Sequence, residues 1–192
     1  MEVNQDKSGS ADRPTVVIVH GWASAPGEGW LSWLARELQN RDYEVIVPQM
    51  PQPRQPDIDE WLETLRDLVG QRRQLILVGH SLGCAVLLEF MADLATDVVV
   101  EKLVLIAGFY LEKSTTHWPD HYLTNTNLIQ LKARIRHSYV LYSDDDKMVA
   151  PERSLTLADK LDAKVIKLHQ MGHFAPRKLA ELPETLEIIT EQ

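Results

Sequence analysis

Leu75-Ile76-Leu77-Val78-Gly79-His80-Ser81-Leu82-Gly83-Cys84-Ala85-Val86-Leu87-Leu88-Glu89-Phe90-Met91 changes character midway. Its first four residues form a short apolar run suited to a strand covered on both faces, and the residues from Leu82 onward read as a helix. Between them stands Gly79-His80-Ser81-Leu82-Gly83, a G-x-S-x-G pentapeptide. Strand, G-x-S-x-G, helix is the setting of a nucleophile elbow, a reversal sharp enough to expose the serine hydroxyl at the strand's C-terminal end. Side chains two residues either side of Ser81 would collide as strand and helix converge, so glycine belongs at both places.

Outward from the elbow the pattern repeats. Strand-like runs occupy Thr15–His20, Tyr43–Val47, Leu75–Val78, Leu103–Ala107, Ser138–Tyr142 and Lys164–Leu168, with helical patterns near 29–40, 57–70, 82–95, 152–161 and 175–190. The alternation predicts an α/β fold: a three-layer, doubly wound, mostly parallel sheet of about six strands with right-handed crossovers. Ligands in such sheets bind beyond the carboxyl ends of the strands. Residues 48–56 hold four prolines and read as a stiff loop, followed by Asp57 as helix N-cap. The longest connection, 108–137, has room for a helix around 125–135 and a small lid but not for a cap domain.

At 192 residues the chain is long enough for one domain, 14–192, that buries about 70% of its unfolded surface. Residues 1–13 are polar, lack the apolar core of a signal peptide, and read as a flexible tail. The net charge of −8 argues against nucleic acid or anionic membrane as partner. No apolar stretch approaches the roughly 18 residues of a membrane span. A single cysteine, Cys84, fits a reducing compartment, and a cytoplasmic location is expected. No CxxC or HExxH signature occurs, so neither metal nor cofactor is expected.

A serine hydroxyl is a weak nucleophile without a base, an acid to orient that base, and donors for the oxyanion. Hydrolases built on this elbow carry them in the order Ser, acid, His. The acid lies in Tyr142-Ser143-Asp144-Asp145-Asp146-Lys147-Met148-Val149-Ala150-Pro151, where three consecutive aspartates cannot share one role. Asp146 is assigned as the acid, Asp144 and Asp145 as turn formers, and Pro151 as the start of the next helix. The alternative is a solvated acidic turn with no catalytic part. His173, in Gly172-His173-Phe174, is placed as the base, with His169 as its competitor; His117, His121 and His137 precede the acid and break the order. The oxyanion donors are expected at the backbone amides of Leu82, at a helix N-terminus, and of Trp22, in the loop His20-Gly21-Trp22. His20 reads as a structural histidine of that loop. Trp22, Trp30, Phe109, Tyr110, Trp118, Met148 and Phe174 are candidate pocket residues. Trp22, Phe109, Met148 and Phe174 are preferred, and Trp30 suits a helix face packed on the sheet. Cys84 reads as a small buried residue.

These pieces together resemble the α/β-hydrolase superfamily, and within it the small retinoblastoma-binding-protein-9-like (YdeN-type) serine hydrolases. The carrying segments are Val19-His20-Gly21-Trp22, Gly29-Trp30-Leu31-x-Trp33-Leu34, Pro48-x-Met50-Pro51, Gly79–Gly83, Ser143–Asp146 and Gly172–Phe174. The resemblance implies a six-stranded hydrolase sheet with little or no cap and a triad of Ser81, Asp146 and His173. Asp146-x-x-Val149-x-Pro151 is similar to the superfamily's acid turn. The Leu-x-Cys-x-Glu motif that carries the mammalian member's retinoblastoma-protein contact is absent here, so that partner is dropped and a small-molecule acyl substrate is the partner expected.

Two readings stand at this point. One is a serine hydrolase acting on a small ester, thioester or amide. The other is a non-catalytic interaction or regulatory protein on a hydrolase fold, since a fold does not by itself imply an activity.

Overall fold

The computed structural model describes residues 14–109 and 128–191. The tail over 1–13, the pocket candidates Tyr110 and Trp118, and most of the 108–137 connection lie outside the described residues.

Six strands, β1 (Thr15–Val19), β2 (Val45–Ile46), β3 (Gln74–His80), β4 (Val99–Ile106), β5 (Ile135–Ser143) and β6 (Lys164–Leu168), form one sheet in the order β2-β1-β3-β4-β5-β6. Every neighbouring pair is parallel. The helices are α1 (Gly29–Gln39), α2 (Ile58–Val69), α3 (Leu82–Asp93), α4 (Leu128–Lys132), α5 (Pro151–Leu161) and α6 (Pro183–Thr190). Alternation along each strand divides the core in two. Val17, Val19, Leu75, Leu77, Leu103 and Leu105 pack with α2, α3 and α5, whereas Val16, Ile18, Ile76, Val78, Val104 and Ile106 pack with α1 and α6. Nine of the twelve residues of α3 are buried, because this helix is apolar almost all round. Asp57 caps α2 through bonds from the Asp59 amide (2.9 Å) and the Glu60 amide (3.3 Å).

The winding fixes where a site can form. After β1 the chain moves to β2 on one side, then returns to place β3 on the other side of β1. That reversal opens a crevice at the carboxyl ends of β1 and β3. His20-Gly21-Trp22 leaves β1 there, and Ser81 leaves β3 there.

Two expected helices differ. The helix expected over 175–190 begins at Pro183, where a missing N–H costs nothing. Residues before it cross the start of α1, and the Trp30 amide donates to Leu179 O at 2.9 Å. The helix expected around 125–135 is the short α4, because β5 already begins at Ile135.

Candidate active site

Ser81 follows β3 with φ 52° and ψ −119°, a backbone state that a side-chain-bearing residue adopts at a cost of about 1–3 kcal/mol. Its amide donates to Ile106 O and its carbonyl accepts from the Cys84 amide, both at 2.9 Å, so sheet and helix hold the strained residue from either side. The flanking glycines have the expected reason. A Cβ on Gly79 would lie 2.9 Å from Cys84 Cα, and one on Gly83 only 2.4 Å from Val19 O.

The hydroxyl meets its neighbours across 92 residues of sequence: Ser81 Oγ lies 2.9 Å from His173 Nε2. His173 Nδ1 lies 2.8 Å from Asp146 Oδ2. Asp146 Oδ1 accepts from the amides of Met148 (2.8 Å) and Val149 (3.0 Å), which leaves Oδ2 for the imidazole. An ionised Asp146 makes Nδ1 the donor, so Nε2 is the acceptor facing Ser81. The pair is well shielded, with side-chain exposures of 10% for His173 and 3% for Asp146.

The other two aspartates belong to the same turn but bind different atoms. Asp145 Oδ1 accepts from Ser143 Oγ (2.6 Å) and the Gly172 amide (2.8 Å); these two bonds lower its pKa. Asp144 Oδ1 accepts from the Gln170 amide at 3.1 Å, and its Oδ2 lies 2.6 Å from His169 Nδ1. The Gln170 amide first, and His169 next, bring the Asp144 carboxyl down to about 2. His169 is thus engaged with Asp144 and does not meet Ser81. Ser143 Oγ accepts from the Met171 amide at 2.9 Å. The acid turn therefore ties down the loop that carries His173, residue against residue, a role invisible in a run of aspartates.

Two buried side chains also hold the His173 loop. His80 Nε2 lies 2.8 Å from His173 O, and Trp30 Nε1 donates to Phe174 O at 2.8 Å. Because a carbonyl only accepts, His80 carries its proton on Nε2. Its Nδ1 is buried without a partner. Burial, aided by the nearby His173, lowers the His80 pKa from 6.5 to about 4. Trp30 and His80 meet edge to face with ring centroids 5.8 Å apart.

The loop after β1 is braced in the same way. The Met50 amide donates to His20 Nε2 (3.3 Å), which leaves Nδ1 to donate to Gly21 O (2.8 Å). Gly21 O belongs to the peptide whose N–H is that of Trp22, so His20 sets the direction of this amide. The proline-rich loop supports the next residues: Ala23 N donates to Pro53 O (2.7 Å), and the Trp22 indole donates to Arg54 O (3.1 Å). Among the described residues, neither the Trp22 nor the Leu82 amide has a protein acceptor. Cys84 is buried with Sγ 3.5 Å from Ile106 O, and burial pushes its thiol pKa far up, out of the reactive range.

The model of the family described as "Serine hydrolase" matches residues 16–190, nearly the whole chain. The chain belongs to the serine hydrolase family. The hydrolase is 28% identical over 178 residues to YdeN of Bacillus subtilis, covering 91% of this chain and 94% of that one. It is 23% identical over 176 residues to the serine hydrolase RBBP9 of Rattus norvegicus, covering 90% and 92%. The crystal structure of the B. subtilis ydeN gene product superposes with a TM-score of 0.84 at 26% identity, over 93% of this chain and 97% of that one. Est1E from Butyrivibrio proteoclasticus shares the fold at a TM-score of 0.68 and 12% identity, over 95% and 88% of the two chains.

In this hydrolase a cleft of about 240 Å³ opens over Ser81 and His173, with walls that include Trp22, Met148, Ala175 and Pro176. Trp22 and Met148 therefore lie where the sequence suggested, and both are well exposed, at 50% and 67%. Phe174 does not line the cleft. Its φ of 50° turns the side chain into the core beside Trp30 and Ile18, where it is fully buried. Phe109 is also buried and is not among the residues that line this cleft. Among the described residues no cluster of His, Cys, Asp and Glu has the makings of a metal site, and no helix is long and apolar enough to cross a membrane.

The His80 contact carries a prediction of its own. His80→Leu removes the donor to His173 O and is expected to lower kcat by about 10–100-fold with little change in KM, because it misplaces the imidazole. His80→Gln, which can return an N–H near the position of Nε2, should recover most of that loss. A second readout separates the two effects. The folded pKa lies below the unfolded one, so the stability gained by keeping His80 neutral is full above 6.5 and is lost as pH falls towards about 4. Acid unfolding of His80→Gln, followed by circular dichroism, should lack that component.

Proposed function

We propose that the protein hydrolyses a small carboxylic ester, thioester or amide through an acyl-enzyme. Ser81 Oγ attacks the carbonyl carbon while His173 Nε2 takes its proton. Asp146 holds His173 in the required tautomer and stabilises the imidazolium. The amides of Leu82 and Trp22 receive the oxyanion, the first at the N-terminus of α3 where free N–H groups and the helix dipole both favour negative charge. His173 then returns the proton to the leaving group, and a water activated by His173 releases the acid. The observation that carries this reading is the continuous contact from Asp146 Oδ2 through His173 to Ser81 Oγ, at 2.8 and 2.9 Å. A substrate-binding role alone would not need an oriented acid, base and hydroxyl together with a strained elbow.

The test is a series of p-nitrophenyl esters of graded acyl length. A cleft of about 240 Å³ accommodates a short acyl chain, so kcat/KM should be highest at about two to four carbons and fall steeply by about ten. Absence of turnover and of an acyl-enzyme burst on every ester would sink the hydrolytic reading and leave an interaction protein in its place.

A further inference from the structure

We propose that the chamber beside His173 is a subsite for a leaving group that carries a carboxylate; this rests on Ser81 being the nucleophile. The chamber has a volume of about 550 Å³ and shares Met148, His173, Ala175 and Lys178 with the Ser81 cleft. Its position assigns it to the leaving group. The base returns a proton to the departing oxygen, so that oxygen leaves on the His173 side, and the chamber is built from the loop of His173 and the acid turn.

Charge gives the chemistry. In a chain of net charge −8, five of the seven described lysines are engaged. Lys102 donates to Ile188 O, Lys132 pairs with Asp162, Lys167 pairs with Asp144, Lys164 lies over the Tyr139 ring, and Lys160 also has a partner. The side chains of Lys147 and Lys178 make no hydrogen bond or ion pair among the described residues, and both residues line this chamber. Asp145 is the one acidic group on the same wall, and its Oδ1 is taken by Ser143 and Gly172. Among the residues that line the chamber two cations stand against one tethered carboxylate, while Asp144 is taken by His169 and Lys167 and Asp146 by His173. In the neighbouring cleft Arg177 is cancelled by Glu28 at 2.7 Å. A leaving group bearing an anion thus meets Lys147 and Lys178 as its oxygen reaches His173.

The experiment compares the acetyl esters of 4-hydroxybenzoate and 4-hydroxybenzamide, corrected for spontaneous hydrolysis. The acyl group is common and the shapes are nearly equal. The amide's phenol is the more acidic, so intrinsic reactivity runs against the expected preference. The carboxylate ester should be favoured by about tenfold in kcat/KM, the scale of two solvent-exposed charge contacts. That ratio should fall to about one in Lys147→Gln/Lys178→Gln, and shrink in about 0.5 M NaCl, where the screening length is only a few ångströms. A ratio near or below one in the unmodified protein, or a tenfold ratio that survives in the double variant, overturns the subsite. Turnover of neither ester overturns the Ser81 reading itself and the subsite with it.

Discussion

Ser81→Ala is expected to abolish labelling by a fluorophosphonate probe and to lower ester turnover by at least about 10⁴-fold, with the fold intact. The change removes one atom, Oγ, whose contact is with His173 Nε2. Alanine keeps a Cβ at φ 52°, so the elbow retains its strain and its geometry. A glycine there would relax the backbone and confuse loss of the hydroxyl with movement of the turn. The chain's one thiol cannot take over. The Cys84 thiol is buried, faces Ile106 O, and is held protonated by desolvation. Intact-protein mass spectrometry after labelling, beside a urea melt, reads both halves of the expectation. Probe bound to the variant at the unmodified level would move the nucleophile away from Ser81.

The sheet was legible in the sequence because its central strands are apolar on both faces, as a covered parallel sheet requires. Val16-Val17-Ile18-Val19 and Leu75–Val78 announce themselves, and each residue goes to one core or the other. The outer halves of β4 and β5 were not legible. Glu101 and Lys102, with Arg136 and His137, interrupt the apolar runs although the ladder continues through them. The polar side chains find partners there: Arg136 pairs with Glu101 at 3.2 Å, and Lys102 reaches the last carbonyls of α6.

Within the site, the meeting of Ser81, His173 and Asp146 was readable because each follows a strand at the same edge, in an order with a chemical reason. The supports were not. His80 reaches His173 O across 93 residues, and Trp30 reaches Phe174 O across 144, so no local pattern contains either contact. Phe174 was misplaced for a related reason. Adjacency to His173 puts it near the cleft in sequence, but at a left-handed backbone torsion its ring is buried in the core. Trp30, read as a packing residue, is one, and its indole N–H also holds the loop that carries His173.

Asp146→Asn is expected to reduce kcat by about 10³–10⁴-fold, while Asp145→Asn costs less than about tenfold. The asymmetry follows from which atoms each carboxylate uses. In Asp146→Asn the remaining side-chain oxygen would still accept from the Met148 and Val149 amides, so the turn would survive with its new NH₂ group aimed at His173. That group donates, which makes Nδ1 an acceptor and places the imidazole proton on Nε2. His173 would then point a hydrogen, not a lone pair, at Ser81 Oγ. At position 145 an amide oxygen still accepts from Ser143 Oγ and the Gly172 amide, so the loop of the base stays in place. Asp145→Ala loses both bonds and should cost more than Asp145→Asn, through loosening of residues 170–173. Steady-state kinetics on one short ester, with folding checked by circular dichroism, ranks the three variants. If Asp145→Asn proves the crippling change and Asp146→Asn a mild one, the acid is one residue earlier in the turn.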